Sequence, residues 1–410
     1  MEEERHNWIV NTKVLYNFIS CISLPHQPLS VEFLPPMPWK REPLEDVSFQ
    51  YLACGLQEEP EDKVSLYLIE VAMPTQPLVE GVRCYSKCID YEGFPIPNYR
   101  EPMYQCVSKG ELSGDINRIR SHAYEGRCFL SAKSTDVHVY EVHQGIKEDE
   151  GMHKQEQTHT ITDLKPCMTF SDHEKEGYGL SFHKGAPFLG SCSDDGIVNI
   201  WDLSCGQRSY TYRHNEGLNC IEFLYGSNRA IAASEDGTAL IIDSNQPDVA
   251  AKTPKVEGAV NAVSCHCVNT DIFATGSTSG MVYLWDYRNM SKPYYDIKAH
   301  EGAIVRLHFN NTSTSLLATA SEDSTICVFD LADDDNEEDD DMGAEEEQTP
   351  DDLIFTHTGH MEQIYDFCWS KEGCTETFIA SAGEDYCLQL WQLTDDVLDY
   401  GDDMNNDNET

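Results

Sequence analysis

Short runs in which apolar and polar residues alternate recur along most of the chain, each ended by a turn rich in Gly, Asp or Ser. Alternation with a period of two is the mark of a half-buried strand, because successive side chains leave opposite faces of a sheet. The stretch Phe170 to Leu203 shows the unit most plainly. His173 opens it, Gly179-Leu180-Ser181-Phe182 alternates, and a turn occupies Lys184 to Pro187. A small-residue strand, Leu189 to Ser193, leads into the tight turn Asp194-Asp195-Gly196. The alternating Ile197 to Asp202 closes the unit with Trp201-Asp202.

The unit repeats. His214 opens a copy that passes through Ser234 to Gly237 and ends at Ile241-Ile242-Asp243. A third begins near Val256 and ends at Leu284-Trp285-Asp286, a fourth runs from His300 to Val328-Phe329-Asp330, and a fifth from His360 to Leu390-Trp391. The first four starts are spaced by 41, 42 and 44 residues, the period of WD-type propeller blades. A chain of 410 residues accommodates seven such blades, so the expected fold is all-β: a seven-bladed WD40 β-propeller with an N-terminal helix.

The less regular parts complete the plan. Glu3 to Cys21 reads as a helix, with Trp8, Leu15, Phe18, Ile19 and Ile22 near one stripe and no proline before Pro25. The expected organisation is a docked helix over 1–24, the propeller over 25–398 with an acidic insertion at 333–352, and an acidic disordered tail over 399–410. Leu29 to Leu34 alternates and is expected to close the ring by pairing with the blade ending at Trp391. Phe49 to Gly55 and Val64 to Val71 read as a strand pair in a first blade over about 49–73, and a second, atypical blade spans about 104–142. Each repeated histidine and turn aspartate (His173, His214, His300, His360; Asp195, Asp236, Asp323, Asp385) is expected to hydrogen-bond with the Ser and Trp of its own repeat.

Charge narrows the partner. Lys plus Arg number 28 against 72 Asp plus Glu, a formal net charge of −44. Eleven acids fall in 333–347 and seven in 395–409; without them the balance is still −26. Such a surface disfavours nucleic acid and favours a basic protein. The acidic insertion cannot pack, so it is expected either to be solvated or to act as an electrostatic arm. It leads into the apolar Leu353-Ile354-Phe355. The sixteen cysteines lack any CxxC pair. They read as reduced, mostly buried thiols, and Cys84 and Cys88 have no second ligand pair to make a zinc site. No nucleotide-binding, nucleophile-elbow or zinc-protease motif occurs; no catalytic residues, cofactor or metal are expected. What varies between repeats is the segment entering the innermost strand. It places Asp115, Asn117, Arg118, Glu176, Tyr178, Asn219, Asn261, Val305 and Glu384 toward one mouth of the channel, where acids, an aromatic and amides suit a basic tail.

Several segments resemble the histone-binding WD-repeat family: the retinoblastoma-binding proteins, with the small subunit of chromatin assembly factor and the companion subunit of the type B histone acetyltransferase. They are Asn11 to Tyr16, Pro28 to Pro35, Asp115 to Arg120, His173 to Ser181 and Glu347 to His360. The resemblance implies a non-catalytic chaperone or scaffold of chromatin assembly and histone-modifying complexes, nuclear with a cytoplasmic pool. It implies a side groove for the first helix of histone four, with Leu15 and Phe18 on the helix side and Asp351, Asp352, Leu353 and Ile354 on the loop side. It also implies a site for histone three or corepressor tails at Asp115, Asn117, Glu176, Tyr178, Asn261 and Glu384. Asn219, Ala303 and Val305 depart from the family pattern, which weakens the tail site. An acidic ribosome-assembly factor and a ubiquitin-ligase substrate receptor share the architecture and stand as alternatives.

Overall fold

The computed structural model describes residues 2–36, 43–44, 46–58, 64–75, 94, 96, 99–145, 160–161, 164–310, 315–331, 350, 352–371, 378–394 and 397. Helix α1, Glu2–Leu15, precedes seven four-stranded antiparallel sheets. The innermost strands of consecutive sheets touch in a closed ring, so the chain is a seven-bladed β-propeller with a short N-terminal helix.

Blade 1 is built from Pro28–Phe33, Val47–Leu56, Val64–Pro74 and Tyr104–Glu111. Blade 2 has Arg118–Tyr124, Arg127–Lys133 and Val137–Val142, with Met168–Phe170 outermost. Blades 3, 4 and 5 begin at Gly179–Phe182, Leu218–Phe223 and Val260–Cys265. Blade 6 runs from Ile304–Phe309 to an outer strand Leu353–His357. Blade 7 takes Ile364–Trp369, Phe378–Gly383 and Cys387–Leu393 from the end of the chain and its outer strand, Tyr16–Ser23, from the beginning.

Two expectations need correction here. The helix stops at Leu15, and Tyr16–Ser23 is a strand whose Ile19 lies opposite Trp391 and Cys21 opposite Gln389. It closes the ring. Leu29 to Leu34 does not: Pro28–Phe33 pairs with Val47–Leu56 as the innermost strand of blade 1. The apolar stripe that suggests helix through Cys21 arises because the first five residues of this strand are buried on both faces. A strand of that kind gives a continuous apolar run, which periodicity alone cannot tell from a buried helix. Likewise Tyr104–Glu111 belongs to blade 1, and blade 2 starts later, at Arg118.

The repeated polar residues interlock as their spacing implies. In blade 3 the Trp201 indole donates to Ser191 Oγ at 2.9 Å, which meets His173 Nε2 at 2.8 Å, while His173 Nδ1 meets Asp195 at 3.1 Å. Asp195 in turn accepts from the amide of Ile197 across the turn. Blade 7 repeats the chain with Trp391, Ser381, His360 and Asp385, and in blade 6 His300 joins Thr319 to Asp323. Gly196 permits the turn in blade 3. Its φ is +73°, and a Cβ there would meet the His214 carbonyl oxygen at 2.6 Å, which only glycine avoids. In blade 4 the hydroxyl and indole positions hold Ala232 and Ile242, and His214 Nε2 is left without a hydrogen bond.

The closing strand should therefore carry much of the stability. Phe18 is fully buried and edge-on to Phe378, centroids 5.7 Å apart. Phe18→Ala should cost about 3–5 kcal/mol, read as a lowered denaturant midpoint, whereas Val14→Ala on the exposed helix face should leave the midpoint within about 0.5 kcal/mol.

Candidate functional site

Two surfaces correspond to the sequence-derived sites. The first lies at the side, where α1 meets the outer strand of blade 6. Trp8 is buried on this seam. Its indole donates to the Tyr16 hydroxyl at 3.1 Å, and that hydroxyl meets His357 Nδ1 at 2.7 Å. His357 stacks on Trp391 at 4.4 Å, and Tyr16 packs edge-on to Phe355. Burial, with His360 nearby, holds the His357 imidazole well below its usual pKa and hence neutral. These contacts fix α1 against the strand Leu353–His357.

Leu15, Leu353 and Ile354 are half-buried on this seam, and each packs against a hydrophobic core cluster. Phe18 is a correction: it sits in the closing strand, wholly buried, and presents nothing to a ligand. The apolar residues that the helix does expose are Val10 (54 %) and Val14 (73 %). Their spacing of four puts them on one helix face; the sequence carried that signal, but the buried stripe masked it. Asp352 is half-buried, and its carboxylate accepts the hydroxyl of Tyr295 from the neighbouring blade. Asp351, most of the acidic insertion, the 399–410 tail, Cys84 and Cys88 lie outside the described residues.

The second surface is one mouth of the channel, and a repeated backbone irregularity builds it. In blades 1, 4, 5, 6 and 7 the innermost strand has a register shift at its second residue. A bulge there takes one residue out of the ladder and re-aims it. The residues concerned are Leu29, Asn219, Asn261, Val305 and Tyr365, and Asn117 and Tyr178 hold the equivalent place just before the strands of blades 2 and 3. Asn117 reaches Glu176 at 3.4 Å. Tyr178 is 47 % exposed, and its carbonyl accepts from Arg118 Nε at 2.9 Å. Glu176 and Glu384 are exposed.

Other members are already committed. Asn219 donates to the Val260 carbonyl and to Asn261 Oδ1, and Asn261 donates to the Ile304 carbonyl, so these amides stitch blades 4, 5 and 6. Asp115 accepts the amide of Glu58 at 2.8 Å, and Glu58 accepts from Gly114. Tyr365, which the sequence reading passed over, accepts from Gln27 and Gln363 at 3.0 Å each. Its signal in the sequence is its spacing: Tyr365 follows His360 as Tyr178 follows His173 and Val305 follows His300.

Beneath the mouth, Asp366 is fully buried. It binds Arg118 at 2.6 Å and Arg120 at 3.2 Å, takes the Ser30 hydroxyl, and lies 3.6 Å from Arg306. Burial pushes its pKa up, but the three guanidinium groups and Ser30 outweigh this and hold it down to about 2. Among the described residues no cluster of His, Cys, Asp or Glu could hold a metal.

The comparisons fit this geometry. The WD domain, G-beta repeat model matches residues 164–202, 252–286, 291–330 and 351–392. Three of those stretches begin with the outer strand of one blade and run into the inner strands of the next, the 252–286 stretch begins at the last residue of blade 4's outer strand, and all seven blades have the same four-stranded form. The molecule is a seven-bladed propeller, and parts of its chain match the WD repeat. It is related to the Histone acetyltransferase type B subunit 2 of Candida glabrata, with 23% identity over 407 residues, covering 97% of this chain and 90% of that protein.

Asp366 yields a pH prediction. Its pKa is depressed in the folded state, so its contribution is complete above the unfolded carboxylate range and fades as pH falls from about 4 toward 2. Asp366→Asn, which strands buried guanidinium groups, should cost about 3–5 kcal/mol at pH 7. It should also flatten the acid limb of a stability–pH curve measured by urea unfolding.

Proposed function

We propose that this protein is a histone-binding chaperone and scaffold subunit of chromatin assembly and histone-modifying complexes, working in the nucleus with a cytoplasmic pool. It catalyses nothing itself; it holds histone near a catalytic or depositing partner. The first helix of histone four lies in the side groove, with its apolar stripe against Val10, Val14, Leu353 and Ile354. Its basic residues meet Asp351, Asp352 and the surrounding acids. This is helix-in-groove recognition, in which apolar anchors supply affinity and charge sets register. A basic tail of histone three or of a corepressor occupies the channel mouth at Tyr178, Glu176 and Glu384.

The observation that carries the reading is the pair Val10 and Val14, exposed on a helix that the Trp8–Tyr16–His357 seam holds beside a half-buried apolar strand. A net charge of −44 supports a basic partner, and so does the name of the related subunit. The mouth is the weaker of the two surfaces, since Asn219 and Asn261 spend their amides on neighbouring blades.

A peptide spanning the first helix of histone four should bind at micromolar affinity or tighter, and less tightly as salt rises. The double swap Asp351→Lys and Asp352→Lys should weaken it at least about tenfold, in line with the loss of one or more charge-assisted bonds of about 1.5–3 kcal/mol. Val14→Glu should weaken it similarly, with both variants still unfolding cooperatively as folded propellers. Wild-type failure to bind in calorimetry at either salt concentration would remove the histone reading and favour another basic partner.

A further inference from the structure

The opposite end of the channel has a different character. A cavity there is lined by Arg120, Lys184, Arg306 and Lys371 against two carboxylates, Glu32 and Glu222, with His308 in its wall. Adding the Arg118–Asp366 pair one layer up leaves the excess of two positive charges unchanged. This is a cationic pocket inside a strongly acidic protein.

The charges there are incompletely paired. Lys371 binds Glu32 and the carbonyl and hydroxyl of Ser121, and Arg120 lies 3.7 Å from Glu32. Arg306 is 5 % exposed; its Nε lies 3.6 Å from the Asp366 carboxylate without a hydrogen bond to it, and its Nη1 reaches the Cys220 sulfur at 3.9 Å. His308 Nδ1 is likewise buried and unpaired. Lys184, exposed on the turn after blade 3's first strand, has its ammonium 5.5 Å from the centre of the Tyr225 ring and has no ion pair among the described residues. Burial, Arg306, Lys184, Arg120 and Lys371 together hold His308 well below its usual pKa. Buried donors without partners are costly, and an excess of like charge in a low-dielectric wall adds to that cost.

We propose that this end of the channel is a binding site for a compact phosphate-class anion, inorganic phosphate or pyrophosphate, held between Arg306 and His308 in the wall and Lys184 and Lys371 at the entrance. An oxyanion supplies what the wall lacks: acceptor oxygens in several directions and negative charge. Guanidinium and ammonium groups are the side chains that bind phosphate best. Glu32 and Glu222 orient the cations and keep the empty pocket from being still more repulsive. The site is independent of the histone surfaces, which lie at the side and at the other mouth.

The test is thermal unfolding of the full chain in increasing phosphate or pyrophosphate, with sodium chloride at matched ionic strength as reference. Lys184→Glu is the variant, because an exposed turn residue can be changed without disturbing the fold. Wild type should show a saturable rise in unfolding temperature absent in chloride. The variant should unfold like wild type without ligand and need at least tenfold more anion for half the effect; equilibrium dialysis should give the same shift. Phosphate also stabilises proteins generally by exclusion from their surface. A linear rise that does not saturate and that Lys184→Glu retains is that general effect and overturns the proposal, as does a response no larger than that of chloride.

Discussion

A propeller leaves its axis empty, and something must keep the innermost strands at a fixed radius. Here Asp366 does so. Its single buried carboxylate gathers Arg118 and Arg120 from blade 2 and the Ser30 hydroxyl from blade 1, lies close to Arg306 of blade 6, and itself belongs to blade 7. Four blades on both sides of the ring closure thus share one ion. An isolated buried carboxylate would be ruinous; one with several cations around it is held ionised and makes their positions interdependent. Both ends of the channel inherit their geometry from this centre: Arg118 also supports the Tyr178 backbone at the mouth, and Arg306 lines the cationic pocket below.

The blades were legible in the sequence where each repeat carries its own hydrogen-bond chain. His173, Ser191, Asp195 and Trp201 announce blade 3 because all four are needed to tie one turn to one strand. Blade 4 has lost two of the four, Ala232 and Ile242 standing in their places, and remained recognisable through His214, its turn and its spacing. Blades 1 and 2 lack the opening histidine. Their strands could be read from alternation, but not which strand belonged to which sheet, since pairing is set by tertiary contacts.

The candidate site was legible more unevenly. Glu176, Tyr178 and Asn117 were reachable because they flank a repeated strand start. Tyr365 occupies the same bulged position and carries the same spacing from His360, but as a large aromatic in an apolar-looking strand it reads as core. On the side surface, local pattern favoured helix through Cys21, and the ring's need for an outer strand in blade 7 overrode it. That exchange took Phe18 into the core and left Val10 and Val14 as the apolar residues the helix exposes. The cationic pocket had no signature at all: its residues come from blades 1, 2, 3, 4, 6 and 7, and the overall charge points the opposite way.

The shared seventh blade has a consequence for how the chain matures. Tyr16 pairs with Leu393, so nearly the whole chain must emerge before the first strand finds its place. Until then two raw sheet edges stand open, a state prone to mispairing with other chains. The entropy of closing so long a loop is modest, each doubling of length adding only about 0.6 kcal/mol; the difficulty is delay rather than energy. The seam between α1 and Leu353–His357 runs through Tyr16 and His357, so it comes into being at the moment the ring shuts. Any partner that grips both sides of that seam will ignore nascent or unlocked chains and select finished ones.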